Sequence, residues 1–190
     1  MNLVIYMKIK VGVSLRHVHL TKDDYYLLFD EDIKEKVPIN QPGQFSAYQT
    51  VTIQANDRHL DNVRVIGPFR NYTQVEISRT EAIHLHIKPP VRMSGDLNGA
   101  EEITIIGPKG SITRKACILA DRHIHITPDE RKEYGLNKDV YKVKVSGEKG
   151  GIFDNVFIRE SEASYFEMHI DSDDANGFDL KQNDEVEIID

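Results

Sequence analysis

The sequence lacks three features that would point to common classes of protein. It has one cysteine, which excludes an intrachain disulfide framework and fits a reducing cytoplasm. No apolar run approaches the ~20 residues of a membrane span, and residues 3–7 are too short a run for a signal peptide. The formal net charge of −7 argues against general nucleic-acid binding, although a local pocket for a small anion stays open. We expect a soluble cytoplasmic protein with no nucleic-acid or membrane partner.

What the sequence does contain is one hexapeptide pattern in two copies. Residues 16–21 read Arg-His-Val-His-Leu-Thr, and residues 122–127 read Arg-His-Ile-His-Ile-Thr. In a strand, alternate side chains share a face, so each copy presents two imidazoles on one face and apolar side chains on the other. Each closing threonine precedes acidic residues and is predicted to cap a short helix.

Most of the remaining sequence consists of short runs rich in β-branched residues. Turn signals separate these runs, among them Gln-Pro-Gly-Gln at 41–44 and Gly-Pro-Lys-Gly at 107–110. Many short strands with few helices predict a mainly β protein built from small β-barrels or sandwiches.

The duplication extends beyond the hexapeptide. Asp-Asn-Val at 61–63 recurs at 154–156, and the fifteenth residue after each aspartate is Glu76 in one half and His169 in the other. The first half has extra residues before its Asp-Asn-Val, including the turn at 41–44. An inserted loop on a rigid scaffold often carries binding function. We place the first half with its inserted loop at 1–115 and the second half at 116–190, and we leave open an exchange of strands between them.

Each half therefore offers a His-x-His pair and one further metal-binding side chain. The two predicted ligand sets are His17, His19 and Glu76, and His123, His125 and His169. A catalytic zinc keeps three protein ligands and one open position, which fits both sets, although iron, cobalt or manganese would suit them nearly as well. A single His-x-His pair is often only the polar face of a strand, but two matched pairs with matched third residues favour metal sites. If a two-fold axis relates the halves, the two metals would face a shared cleft and act jointly.

Arg70 breaks the symmetry of the repeat, because its counterpart in the second half is Ala163. A guanidinium binds phosphate bidentately, so Arg70 is a candidate for holding substrate, with a surface salt bridge as the alternative. Ser94 is interpreted as a turn residue, with a ligand hydroxyl as the other option. Arg16 and Arg122 precede the histidine pairs on the opposite face and are expected to form structural ion pairs.

Two further features are interpreted as structural. His84 and His86 form a third His-x-His pair, but their counterparts are Gly177 and Asp179, so the duplication does not support a metal site and we expect a solvated face. Cys117 lies in an apolar run without an activating motif, which favours a buried hydrophobic residue over a nucleophile.

The sequence resembles the phosphate propanoyltransferases, the PduL-type phosphate acyltransferases associated with bacterial microcompartments. The matching stretches, in family order, are residues 11–20, 41–45, 65–68, 73–80, 91–96, 122–125 and 167–171. The resemblance implies two related small β-barrel domains with short capping helices. It also implies two zinc ions per chain in one active site, on the ligand sets given above, and reversible acyl transfer between coenzyme A and inorganic phosphate. It assigns phosphate to Arg70.

Members housed in microcompartments look as if they carry an amphipathic N-terminal extension, as in propanediol degradation. Here the first catalytic strand begins close to Met1, so we expect no such tag; this favours the cytoplasm over the lumen of a microcompartment and leaves association with a shell open. A free cytoplasmic enzyme using acetyl-CoA is then as well supported as one using propanoyl-CoA. The sequence does not fix the oligomeric state, for which a homodimer is one option.

The mechanism expected from this resemblance is direct attack of phosphate on an acyl-CoA thioester, without an acyl-enzyme. From its position in the insertion, the turn bearing Gln41, Gly43 and Gln44 is expected to contact coenzyme A, together with the Ser94 hydroxyl. Two alternatives remain: a dinuclear metallohydrolase of thioesters or phosphoesters, and a non-catalytic module with structural metals. Structural zinc sites usually have four protein ligands, often thiolates, which this chain does not offer.

Overall fold

A computed structural model describes residues 7–189, and these fold into a mainly β structure. The strands are β1 (Met7–Ser14), β2 (His17–His19), β3 (Glu35–Pro38), β4 (Phe45–Ala55), β5 (Arg58–Gly67), β6 (Gln74–Glu76), β7 (Val91–Arg92), β8 (Glu101–Ile106), β9 (Ser111–Ala120), β10 (His123–Ile126), β11 (Val140–Val145), β12 (Gly151–Glu160), β13 (Glu167–Asp171) and β14 (Glu185–Ile189). The helices are α1 (Lys22–Leu28), α2 (Arg79–His84), α3 (Pro128–Glu133) and α4 (Ser172–Phe178). No helix within residues 7–189 is long and apolar enough to cross a membrane.

The chain packs into two compact units. The central unit is Leu15–Ala120, and the terminal unit combines residues 7–14 with residues 121–189. Strand β1 therefore belongs to the terminal unit although it directly precedes the first hexapeptide. Strand β9 belongs to the central unit although it directly precedes the second. The repeat boundaries at 1–115 and 116–190 remain a prediction.

The terminal unit is a closed barrel with the strand order β1-β13-β10-β12-β11-β14. Strand β1 closes the barrel by pairing parallel to β13 and antiparallel to β14. The hexapeptide strand β10 lies between β13, its antiparallel neighbour, and β12, its parallel neighbour. The four residues of β10 are all buried.

The central unit repeats this arrangement. Its strands run in the order β4-β5-β2-β6-β9, and β8 pairs with both β9 and β4 and so closes a ring of six. The hexapeptide strand β2 is antiparallel to β6 and parallel to β5, as β10 is to β13 and β12. Strands β3 and β7 lie outside the ring. The predicted fold of two related small β-barrels with short helices is confirmed.

The alternation of the hexapeptides separates a core face from a polar face, as predicted. In the central unit Val18 pairs with Val75, and in the terminal unit Ile124 pairs with Met168; all four side chains are fully buried. Each such side chain contributes about 1.5–3 kcal/mol when it is removed from water. Burial of this face orients the intervening histidines toward the other face.

The predicted caps and ion pairs are present. Thr21 accepts a hydrogen bond from the backbone N–H of Asp24, and Thr127 accepts one from Glu130, with Pro128 in the first turn of α3. These threonines fix where each hexapeptide strand ends, because the hydroxyl satisfies an N–H that the helix leaves unpaired.

The arginine of each hexapeptide pairs with an acid in the first turn of a helix. Arg16 Nη1 lies 2.9 Å from Glu81 Oε1 in α2, and Arg122 Nη2 lies 2.7 Å from Asp174 Oδ1 in α4. The Asp174 carboxylate raises the pKa of Arg122. The two pairs occupy equivalent positions of the repeat, so both arginines have the predicted structural role.

Candidate functional site

The first histidine cluster lies on two antiparallel strands of the central unit. His17 and His19 project from one face of β2, and Glu76 on β6 stands directly opposite His17. Such opposite residues have Cβ atoms about 4.5–5.5 Å apart, so the register alone brings the carboxylate to the imidazoles. Glu76 Oε2 lies 3.6 Å from His17 Nε2, and one ligand atom of each of the three side chains lies within 4.8 Å of the others.

The second cluster has the same construction in the terminal unit. His123 and His125 project from β10, and His169 on β13 stands directly opposite His123. The Nε2 atoms of His123 and His125 are 3.1 Å apart, and a ligand atom of His169 lies within 4.8 Å of the other two ligand atoms. His123 and His125 are buried, with His125 only 1% exposed, whereas the side chain of His169 is 22% exposed.

The four hexapeptide histidines share one orientation, in which Nδ1 faces a protein oxygen. In the central unit, Nδ1 of His17 lies 2.9 Å from Leu15 O, and Nδ1 of His19 lies 3.3 Å from Ile66 O. In the terminal unit, Nδ1 of His123 lies 2.8 Å from Asp121 O, and Nδ1 of His125 lies 3.4 Å from Ser164 Oγ. A backbone carbonyl accepts a hydrogen bond from Nδ1–H and so leaves Nε2 unprotonated. Metal-binding histidines are usually held in this way.

The spacing of the donor atoms fits a metal ion. Two ligand atoms at the usual zinc distances of about 2.0–2.1 Å and at a tetrahedral angle are about 3.4 Å apart. The observed separations of 3.1 Å in the terminal cluster and 3.6 Å in the central cluster bracket this value. Both predicted ligand sets therefore have the donor chemistry and the spacing for zinc or another divalent transition metal.

Arg70 lies in the same unit as the first cluster and is held by neutral groups. Its Nη1 donates to Tyr72 Oη at 3.0 Å and to Ser94 Oγ at 3.3 Å, and its Nη2 donates to Gln44 Oε1 at 3.4 Å. None of the carboxylates described within residues 7–189 forms an ion pair with this guanidinium. The half-buried positive charge is thus oriented without being neutralised, which favours an anion site over the salt-bridge alternative.

Gln74 links Arg70 to the first cluster. Its Nε2 donates to Glu76 Oε1 at 2.5 Å and to Ser94 Oγ at 2.8 Å, and its Oε1 accepts from the backbone N–H of Gly95 at 2.7 Å. Ser94 also accepts from Arg70. A continuous chain of hydrogen bonds therefore runs from the carboxylate of Glu76 to the guanidinium of Arg70, through a glutamine side chain with no exposed surface.

The residues predicted to contact coenzyme A separate into two groups. Gln44 and Ser94 both contact the Arg70 guanidinium. Gln41 and Gly43 form the turn between β3 and β4, where Gln44 N–H donates to Gln41 O and Gly43 has a φ of +74°. Residues other than glycine rarely adopt that φ, so Gly43 allows the backbone turn that precedes Gln44. Contact of these residues with coenzyme A remains a prediction.

Two interpretations of other residues agree with the structure. Cys117 is fully buried, and this burial raises the pKa of its thiol to about 12, so it has no thiolate character near neutral pH. His84 and His86 are exposed, as predicted, although His84 ends α2 and does not lie on a strand.

Sequence reasoning missed Gln74 and Glu167, the residues two positions before Glu76 and His169. Strand alternation places each on the same face as that ligand, and the ladder sets them opposite His19 and His125. Alternation could therefore have identified both. It also missed Tyr72, for which the sequence carries no signal beyond its closeness to Arg70.

A family model and several curated proteins are similar to this chain, and both comparisons point to the same family. Residues 10–181 match the family model for phosphate propanoyltransferase. The chain is 48% identical to the phosphate propanoyltransferase of Thermotoga maritima over 184 residues, which cover 94% of this chain and 88% of the relative. It is 45% identical to that of Rhodopseudomonas palustris over 185 residues (95% and 82%) and 46% identical to that of Rhodobacter capsulatus over 180 residues (93% and 83%).

Proposed function

Because the chain belongs to the phosphate propanoyltransferase family of acyltransferases, we propose that it transfers a propanoyl or acetyl group reversibly between coenzyme A and inorganic phosphate. In the forward direction, a phosphate oxygen attacks the carbonyl carbon of the thioester and the carbon–sulfur bond breaks. The products are an acyl phosphate and the coenzyme A thiolate, which takes up a proton from solvent.

We assign one divalent metal ion to each cluster, two Zn²⁺ per chain. His17, His19 and Glu76 would hold one, and His123, His125 and His169 the other. A metal at these residues would supply Lewis-acid polarisation of the thioester carbonyl and stabilise charge on the departing sulfur. Three protein ligands leave a coordination position open, as in catalytic rather than structural zinc sites.

Arg70 is assigned to phosphate. Its guanidinium is held by Tyr72, Ser94 and Gln44 and is not neutralised by a described carboxylate, so it can donate two parallel hydrogen bonds to phosphate oxygens. Fixing the nucleophile in this way lowers the entropic part of the barrier. Because Gln44 contacts the same guanidinium, the turn at 41–44 is the proposed place for coenzyme A.

Attack by phosphate is assigned as a single direct step. The single cysteine of the chain is buried and its pKa is raised to about 12, so it does not offer a thiolate for an acyl-enzyme. Burst release of coenzyme A before phosphate is added would contradict a direct transfer.

The observation that carries this proposal is the hydrogen-bond chain from Arg70 through Ser94 and Gln74 to Glu76. It connects an anion-binding guanidinium to a carboxylate of the first cluster through groups that are buried or half-buried. Such a connection fixes phosphate and the metal ligand relative to each other, which direct transfer requires.

The test measures thiol release from acetyl-CoA and propanoyl-CoA with and without phosphate, together with the metal content of the same samples. We expect phosphate-dependent release and two metal ions per chain. His125→Ala and His169→Ala should lower both, whereas the exposed control His84→Ala should change neither. Thiol release that does not depend on phosphate would instead identify a metallohydrolase, and metal without any phosphate-dependent activity would identify a structural module.

A further inference from the structure

Glu167 is a buried carboxylate beside the second cluster. It stands on β13 directly opposite His125, is 2% exposed, and places Oε2 2.7 Å from Nε2 of His169. A buried carboxylate at this distance forms a strong, charge-assisted hydrogen bond with an imidazole N–H. The second cluster thus includes an acidic neighbour that belongs to neither predicted ligand set.

The orientation of His169 follows from its other neighbouring strand. Strand β13 lies between β1 and β10, and Gly12 on β1 stands opposite His169. A Cβ atom added to Gly12 would lie 2.8 Å from Cδ2 and 2.9 Å from Nε2 of His169. The ring edge that carries Nε2 therefore faces β1. Nδ1 lies on the opposite edge of the ring, and β10 with its two histidines is the other neighbour of β13.

We propose that Glu167 is a positioning residue that accepts a hydrogen bond from Nε2–H of His169, so that His169 binds the metal through Nδ1. The inference rests on the proposed metal site of the terminal unit. This orientation differs from that of the four hexapeptide histidines, whose Nδ1 atoms lie against protein oxygens, so that Nε2 is left for the metal. A carboxylate partner fixes the tautomer of a ligating imidazole and raises its basicity.

The same four positions of the repeat explain why the carboxylate is needed here. In the central unit they hold His17, His19, neutral Gln74 and the carboxylate Glu76. In the terminal unit His169 stands at the position of Glu76, and Glu167 stands at the position of Gln74. At these four positions each unit therefore has one carboxylate, as a direct ligand in one unit and as a partner of a ligand in the other, and the terminal unit adds Asp121, whose Oδ1 lies 3.8 Å from Nδ1 of His123. One negative charge offsets part of a divalent cation's charge in a buried site.

Gly12 supplies the space that this arrangement needs. The added Cβ atom would also lie 2.5 Å from Glu167 Oε2, a distance that requires the carboxylate or the ring to move. Because β1 is held to β13 by a parallel ladder from Val11 to Ser14, the backbone at Gly12 has little freedom to yield. Glycine at this position thus leaves room for both the acceptor and the imidazole edge.

The first test identifies the coordinating nitrogen of each histidine. Protein labelled with ¹⁵N-histidine and loaded with Zn²⁺ is examined by long-range proton–nitrogen NMR, which separates a protonated nitrogen from a metal-bound one. We expect Nε2 to be metal-bound in His123 and His125, and Nδ1 to be metal-bound in His169, with Nε2 protonated. Zinc bound to His169 through Nε2 would overturn the inference and leave the proposed function standing. Absence of zinc binding would overturn both.

The second test measures zinc affinity of the terminal cluster by chelator competition in Glu167→Gln and Glu167→Leu. Loss of such a partner costs about 10–100-fold in metal affinity, so we expect that loss for the leucine variant and a smaller loss for glutamine, whose carbonyl oxygen still accepts the hydrogen bond. Glu162→Leu, at an exposed position shortly before Glu167 in the sequence, is the matched control and should retain wild-type affinity. Circular dichroism checks folding, and the central cluster serves as an internal reference. A leucine variant that binds two zinc ions as tightly as wild type would refute the role of Glu167.

Discussion

Arg70 provides the sharpest test of the proposed chemistry, because its environment separates anion binding from a structural role. The guanidinium is positioned by Tyr72, Ser94 and Gln44, which are all neutral acceptors. Substitution by alanine removes the positive charge but breaks no described ion pair. The folded structure should therefore tolerate Arg70→Ala, and its main effect should fall on the binding of phosphate.

The size of the effect follows from the hydrogen bonds that the guanidinium would donate. Two hydrogen bonds to a charged acceptor, at about 1.5–2 kcal/mol each, contribute about 3–4 kcal/mol. Since about 1.4 kcal/mol corresponds to a factor of ten, kcat/KM for phosphate should fall by roughly two to three powers of ten. Arg70→Lys should be intermediate, because an ammonium keeps the charge but cannot donate the two parallel hydrogen bonds.

The assay varies phosphate at saturating acyl-CoA and follows thiol release. Arg58→Ala is the matched control, because Arg58 lies in the same unit on the exposed start of β5, and its one side-chain ion pair among the described residues is with Asp57 at 3.9 Å. Zinc content should be unchanged in both variants. The assignment would be refuted if Arg70→Ala kept kcat/KM for phosphate within about threefold of wild type, or if the loss fell on acyl-CoA alone, since either result separates the guanidinium from phosphate binding.

Three further predictions concern buried residues. Gly12→Ala should reduce the zinc content from two ions per chain toward one, because the added Cβ would lie 2.9 Å from His169 Nε2. Elemental analysis measures this content, and two zinc ions per chain in the variant would contradict the packing argument. Gln74→Leu should raise KM for phosphate and lower the free energy of unfolding by about 1–3 kcal/mol, because the N–H of Gly95 loses its acceptor; a denaturant titration that matches wild type would refute this. Cys117 has a pKa raised from 9.0 to about 12 in the folded state, so the folded protein holds a proton that the unfolded chain loses, and the free energy of unfolding should decrease as pH rises from 9 toward 12. Cys117→Ala should show a shallower decrease, and equal slopes would exclude this contribution.

The sequence was sufficient for both clusters because their geometry is local to paired strands. The repeat identified Glu76 and His169, and the ladders place these residues directly opposite His17 and His123. Alternation then determines which side chains share a face. The pairing of β2 with β6 and of β10 with β13 joins distant parts of the chain, and the repeat indicated it because both halves have a metal-binding side chain at the same offset.

Other parts of the site depend on contacts that no repeating pattern in the sequence predicts. Ser94 reaches Gln74 and Arg70 from the loop after β7, and nothing in the spacing of these residues predicts it. Gly12 likewise meets His169 only because β1 pairs with β13 near the other end of the chain. Loop conformation and the pairing of distant strands are set by tertiary packing, which local pattern does not report.

The exchange of β1 and β9 between units has a consequence for how the clusters are supported. Each hexapeptide strand is preceded in the sequence by a strand that closes the barrel of the other unit, so β1 can place Gly12 against His169 while β9 pairs with β6 at Glu76. In the terminal unit the position facing the third ligand must be small, because an imidazole and a carboxylate fill the space above it. In the central unit the fully buried Ile118 stands opposite Glu76 at the equivalent place in the ladder. The two units therefore differ at this place: a glycine stands beside the imidazole of His169, and an isoleucine stands beside the carboxylate of Glu76.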